Sequence, residues 1–224
     1  MFGGASHEEG FKNDLYVLDG TWKQLASSSI ARYEHTAIPL QNNLLIIFGS
    51  TESGPTVSPQ LYNTLTDRWT DLEIKGAITP RILRSVLATN LGEMVYVYGG
   101  MSEGKTLNDL WQFNTKTNRW IQLESFEERC AHTCVNYNNK LYIYGGMKTQ
   151  PLMVHDTMIS YDGKWKTEGN YTGRMDHVCV VDDGVVVHGG MSFSNVFQDG
   201  FKLVIKSEKS IKEQDHLSPV KVFD

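Results

Sequence analysis

Four arginines recur at one spacing: Arg32-x-x-His35, Arg81-x-x-Arg84, Arg129-x-x-His132 and Arg174-x-x-His177. A guanidinium presents paired planar donors, so several turned toward one place would hold a carboxylate or a phosphate through parallel hydrogen bonds. Arg32, Arg81, Arg129 and Arg174 are therefore the first candidates for contact with a partner. The competing reading is structural: each arginine satisfies loop carbonyls or an acid beside it. Glu34, Glu127, Glu128 and Asp176 lie close enough in sequence to neutralise the set. His35, His132 and His177 raise the question of a metal. Zinc or iron with imidazole ligands needs three or four donors converging at about 2 Å. Histidines that open separate repeats are spread too widely for that. Packing or a backbone hydrogen bond is the expectation, with no metal and no cofactor.

No other chemistry-bearing set emerges. The chain lacks a Gly-x-Ser-x-Gly elbow, a phosphate loop and a His-Glu-x-x-His helix. The reading is of a protein that is not an enzyme. Cys130, Cys134 and Cys179 are an odd number without metal-ligand spacing, as expected of structural free thiols in a reducing compartment.

The arginines belong to a longer repeat that must position them. Glycine pairs stand at Gly3-Gly4, Gly99-Gly100, Gly145-Gly146 and Gly189-Gly190, with Gly49-Ser50 as the variant copy. The spacing is about 44 to 50 residues, the period of propeller blades. Trp22, Trp69, Trp120 and Trp165 follow the pairs, once per copy, and packing between blades explains them. Short apolar runs such as Leu44-Leu45-Ile46-Ile47-Phe48 precede the glycines without alternating, which means a strand covered on both faces. No stretch has a helical period.

With an aromatic residue before the glycine pair and a spaced tryptophan after it, the chain resembles the kelch-repeat family over about residues 1–205. Departures are Ser50 for a glycine, Arg84 for a histidine and no tryptophan after the last pair. The resemblance implies an all-β, kelch-type β-propeller of four-stranded antiparallel blades around a central channel. About four to five blades fall in this chain, in an incomplete ring. It also implies a non-catalytic scaffold that binds a protein through inter-strand loops and the channel mouth. The phrases Ala31-Arg32-Tyr33-Glu34-His35 and Arg174-Met175-Asp176-His177 further resemble those of kelch-only Rab GTPase effectors of endosome-to-Golgi transport. That resemblance implies a small GTPase as partner, a role in vesicle transport, and a cytoplasmic place peripheral to endosomal membranes. A kelch substrate receptor or cytoskeletal adaptor is the alternative, and an enzyme on this scaffold the remote one.

The expected layout is a partial blade over 1–28, blades over 29–75, 76–124 and 125–170, a three-stranded blade over 171–205, and a charged tail over 206–224. A short edge strand is expected over 220–223. Residues 1–4 read as the end of a strand whose beginning is missing, so the chain is expected to be a truncated form of a longer propeller; the alternative is a small closed ring in which Asp14–Leu25 completes the Arg174 blade. The segments after each glycine pair (6–12, 51–59, 102–106, 148–155 and 192–197) are expected as variable recognition loops. Met147, Leu152, Met153 and Val154 make one of them apolar, and Met153 is a candidate contact. Trp111, standing where Gln60 stands in the preceding copy, is expected partly exposed and a candidate anchor.

Composition narrows the partner. The net charge is −5 and no basic stripe occurs, which excludes nucleic acid. Apolar runs are far too short to insert in a bilayer as helices, and the start carries no secretory signal.

Overall fold

The computed structural model describes residues 1–81, 90–91, 94–182 and 184–203. Arg84, residues 204 and 205, the tail and its expected edge strand lie outside them. The described residues form strands and their connections, with no helix.

Five sheets follow one another. The first holds β1 (Phe2–Ser6), β2 (Gly10–Asp19) and β3 (Thr21–Leu25). The second holds β4 (Thr36–Leu40) and β5 (Asn43–Ile47). After a small hairpin of β6 (Ser50–Thr51) and β7 (Gly54–Pro55), it continues with β8 (Gln60–Asn63) and β9 (Arg68–Asp71). The third holds β10 (Asn90–Leu91), β11 (Met94–Ser102), β12 (Lys105–Asn114) and β13 (Arg119–Gln122). In the fourth, β14 (Thr133–Tyr137) and β15 (Lys140–Tyr144) precede a hairpin of β16 (Met147–Thr149) and β17 (Leu152–Val154). That sheet closes with β18 (Thr157–Tyr161) and β19 (Trp165–Asn170). The fifth holds β20 (Val178–Val181), β21 (Val185–His188) and β22 (Gly200–Leu203). Strand pairing within the sheets is antiparallel throughout. The kelch-type blade and the incomplete ring are what the structure has.

A four-stranded sheet of this size cannot bury either face alone, so neighbours must supply the cover. Each does. Phe2 and Leu15 of the first blade pack with Ile46 and Tyr62 of the second. Ile38, Leu45 and Ile47 pack with Val95, Val97 and Phe113 of the third. Tyr98 and Leu110 pack with Leu141, Ile143 and Ile159 of the fourth, and Tyr142 and Tyr144 with Val185 and Val187 of the fifth. This double cover is why β5 and β15 are apolar at consecutive positions. No apolar cluster of described residues joins the fifth blade to the first.

Three expectations change. The second blade's glycine motif is Phe48-Gly49, not Gly49-Ser50. Phe48 has φ 61°, matching Gly3, Gly99, Gly145 and Gly189 at 55–66°. Thr36 pairs Ile47 as Thr133 pairs Tyr144, which fixes the same register. Phe48 tolerates this left-handed conformation because its ring is buried between Trp120 and the Arg81 guanidinium. The segments after the glycines are not free loops: in the first and third blades the strands run on as one long hairpin, and in the second and fourth they fold as separate small hairpins. Finally, Trp22 is not a packing residue. Trp69, Trp120 and Trp165 lie against Phe2, Phe48 and Tyr98 of the preceding blade, whereas Trp22 is 60% exposed.

Candidate functional site

The four arginines do not ring the channel mouth with free guanidiniums. All are 0–1% exposed and bonded within their own blades. In each, Nη1 donates to the carbonyl of the first residue of the glycine motif: Phe48 and Gly145 at 2.9 Å, Gly99 at 2.8 Å, Gly189 at 2.9 Å. The third strand of the same sheet, or the residues leading into it, supplies most of the other acceptors. Arg81 forks onto Asp109 with two bonds of 2.9 Å, and Arg174 onto Asp199 at 3.0 and 3.2 Å. Arg129 holds the Thr157 carbonyl and hydroxyl and the Glu127 carboxylate. Arg32 holds the Ser58 carbonyl and Gln60, which in turn donates to Asp71. Lacking a direct carboxylate, Arg32 is pulled down by burial to about 10, against the opposing pull of Asp71. The structural reading is therefore the one the geometry supports.

The arginine backbone reaches across to the preceding blade. Its carbonyl accepts from the second glycine of the preceding blade: Gly4 to Arg32 at 2.9 Å, Gly100 to Arg129 and Gly146 to Arg174 at 2.8 Å. Arg32, Arg129 and Arg174 thus lock their own blades with their side chains and the previous blade with their carbonyls.

Sequence reasoning placed the neutralising acids among Glu34, Glu127, Glu128 and Asp176. Of these, Glu127 holds a guanidinium; Asp109 and Asp199 were missed. The repeated phrase Asn13-Asp14-Leu15-Tyr16 and Asn108-Asp109-Leu110-Trp111 was the available signal.

Trp111 is half-buried, packs edge-on to Trp120 and donates its Nε1 to Asp109 at 2.6 Å, so it is engaged internally. Met153 is exposed on β17 beside Leu152.

The segments after Arg129 and Arg174 border an open space instead. Ala131, His132, Asp176, His177 and Met191 line an open cavity of about 500 Å³ between the fourth and fifth blades. Glu34, Ala131 and Asp176, each preceding a histidine, share φ of 53–56°. His132 and His177 are 6% and 5% exposed. His177 Nε2 meets Thr133 Oγ1 at 2.7 Å, and that hydroxyl meets Cys179 Sγ at 2.8 Å. Burial and the neighbouring Arg129, with smaller effects of His177 and His155, hold His132 down at about 3. Burial and Arg174 hold His177 at about 4, and burial and Arg32 hold His35 at about 4. Both cavity imidazoles are neutral at pH 7. Burial raises the Cys134 thiol to about 12 and Cys179 to about 11, so neither offers a thiolate. No three histidine, cysteine or acidic side chains converge as metal ligands among the described residues.

These histidines make folding acid-sensitive. A group held below its unfolded pKa stabilises above about 6.5, and that stability is lost as pH falls toward its folded value. At pH 5, His132 and His177 together should cost about 3–4 kcal/mol relative to pH 7.5. Urea unfolding at the two pH values measures this. A flat profile would show that the rings are solvated.

The geometry points one way, and so does comparison with known proteins: a family model for the KLHDC2/KLHL20/DRC7 Kelch-repeats domain matches residues 1–167. The chain is a kelch-repeat protein. Kelch domain-containing protein 3 of Homo sapiens is 28% identical over 243 residues, covering 94% of this chain and 63% of that protein. The flagellar outer-arm dynein alpha chain of Chlamydomonas reinhardtii is 32% identical over 198 residues, 75% of this chain but 4% of the dynein. Host cell factor 2 of Homo sapiens is 27% identical over 142 residues, 58% of this chain and 18% of that protein. The kelch chain thus spans a little under two thirds of the length of its Kelch domain-containing protein 3 relatives. Among the described residues no helix is long and apolar enough to cross a membrane.

Proposed function

We propose that this kelch chain is a non-catalytic scaffold that binds a partner protein at the channel end formed by the fourth and fifth blades. The observation that carries the reading is an asymmetry between equivalent segments. After the glycine motif, the first three blades expose His7, Glu8 and Glu9, then Glu52 and Ser53, then Glu103 and Gly104. The last two expose Leu152 (62%) and Met153 on β17, and Met191, Phe193 and Val196. The fold makes no use of these apolar side chains, and the neutral-histidine cavity opens beside Met191. Rigid blades presenting apolar anchors over a polar recess suit a protein segment with apolar side chains. Relatives in which the matched region is a small share of a long chain support the reading as a binding module.

The test is affinity capture with the wild-type chain and with Leu152→Asp/Met153→Asp. Captured partners should fall at least about tenfold, since truncating one central anchor costs about 1–2 kcal/mol or more. Undiminished capture would move the interface elsewhere.

A small GTPase partner, with a cytoplasmic place beside endosomal membranes, is the narrower reading. It rests on the phrases at Arg32–His35 and Arg174–His177, whose arginines are internal to their blades. Nucleotide-dependent retention of Rab proteins would support it.

A further inference from the structure

The junction between the third and fourth blades is built differently from the one before it. Counting from the glycine motifs, Tyr96 and its cross-strand partner Gln112 stand in the third blade where Leu45 and Leu61 stand in the second. Opposite them, Leu141 and Tyr161 of the fourth blade stand where Val95 and Phe113 stand in the third. Leu45, Leu61, Val95 and Phe113 close into one apolar cluster. Their counterparts do not close. Tyr96, Gln112, Leu141 and Tyr161, with Asn139 and Asp162, line an open cavity of about 320 Å³.

The fold leaves polar groups there. Gln112 Nε2 donates to the Tyr96 hydroxyl at 2.6 Å. Among the described residues, neither the Gln112 amide oxygen nor the Tyr161 hydroxyl has a hydrogen bond. Asp162, at the turn, meets Lys140 at 3.5 Å, but Lys140 is held more closely by Glu168, at 3.0 Å. Burial, then Tyr96, Glu124 and Asp162, push the Tyr161 hydroxyl above its ordinary value, so this ring stays neutral beside two carboxylates.

The chain shows elsewhere what such a combination holds. Arg174 forks onto Asp199 with its guanidinium 4.3 and 4.8 Å from the Phe197 and Phe201 ring centres. Arg81 forks onto Asp109 and lies over the Phe48 ring. An acid for the paired donors and an aromatic ring for the flat face suit a guanidinium leaving water.

We propose that the cavity between the third and fourth blades is a binding site for an arginine side chain of a partner polypeptide. Its guanidinium lies against the Tyr161 ring, forks onto Asp162 and donates to the Gln112 amide oxygen. Lysine offers neither the plane nor the paired donors. The site is separate from the surface at Leu152 and Met153, because Asn139 and Asp162 stand at turns on the ends of their strands away from Gly145. Either can fail without the other.

The probe is Nα-acetyl-arginine methylamide, which carries the side chain and no terminal charge. Titrated into the intact chain and followed by NMR, it should bind saturably with a Kd on the order of 1 mM, the scale of a single side chain. The citrulline analogue, of the same shape without the charge, should bind about tenfold more weakly, as should the arginine probe to Asp162→Asn, the effect of losing a charged hydrogen bond. The lysine analogue should bind at least about threefold more weakly. Asp162→Asn, at an exposed turn, should melt as the wild type does, which separates lost binding from lost fold. Tyr96→Leu/Gln112→Leu gives the third blade the pair of the second and should abolish binding without lowering the melting temperature, since that pair already closes the neighbouring junction. No saturable binding to the wild type would overturn the proposal. Equal affinity for the citrulline or lysine analogue, or binding undiminished in Asp162→Asn or the double leucine variant, would do the same.

Discussion

Gly145→Ala is expected to destabilise the chain by about 3–5 kcal/mol, a large share of the roughly 5–15 kcal/mol that holds an ordinary domain folded. Gly145 sits at φ 61°, where an L side chain costs about 1–2 kcal/mol. Its new Cβ would fall on the Arg174 carbonyl oxygen of the next blade and 2.9 Å from His177 Cε1. Neither neighbour can yield cheaply, because the carbonyl is held by Gly146 and the ring is buried. The blades would have to separate, and their shared cluster of Tyr144, Val185 and Val187 with them. Gly20→Ala isolates the conformational part. It too has a left-handed φ, at 69°, but nothing lies within 4 Å of its added methyl. It should lose about 1–2 kcal/mol. Equal losses for the two variants in urea titration would mean that the inter-blade approach is looser than described.

Arg129→Met should lower the unfolding free energy by about 3–5 kcal/mol, the cost of breaking a buried charged network from one side. Methionine fills most of the volume but leaves the Gly145 and Thr157 carbonyls without the donors that now reach them. Arg68→Met, at an exposed position, should change stability by less than about 0.5 kcal/mol. Thermal and urea unfolding of the pair decide the matter. If Arg129→Met melted like wild type while partner capture collapsed, the guanidinium would be a ligand-binding group after all.

The period was legible because three markers kept one phase, and each marks a role that recurs along the array. The glycine motif approaches the next blade closely, Trp69, Trp120 and Trp165 pack on the preceding one, and the arginines tie their own blades together. The acids were harder to read. Ser58 and Thr157 occupy the position of Asp109 and Asp199, and Glu127 reaches Arg129 from another direction, so the acid is not a fixed letter of the repeat. Phe48-Gly49 was misread for a related reason. Sequence shows a glycine and a small residue in tandem, whereas the left-handed φ belongs to the phenylalanine before them. Trp22 looked equivalent to Trp69, and its exposure depends on what lies across from it, which no local pattern encodes. The candidate interface was half legible: Met153 stood out by composition and residues 192–197 by their place after a glycine pair, but that Phe193 and Val196 stay exposed there needed the folded chain.

The residue before each of His35, His132 and His177 carries a backbone requirement and almost no side-chain requirement. Glutamate, alanine and aspartate all occupy it at nearly one φ, with the energetic penalty incurred by the main chain whatever the substituent. Two of them, Ala131 and Asp176, form the cavity wall. The lining of the recess can therefore diverge in polarity and size between related chains while the inter-blade latches stay constant, which separates the evolution of recognition from that of assembly.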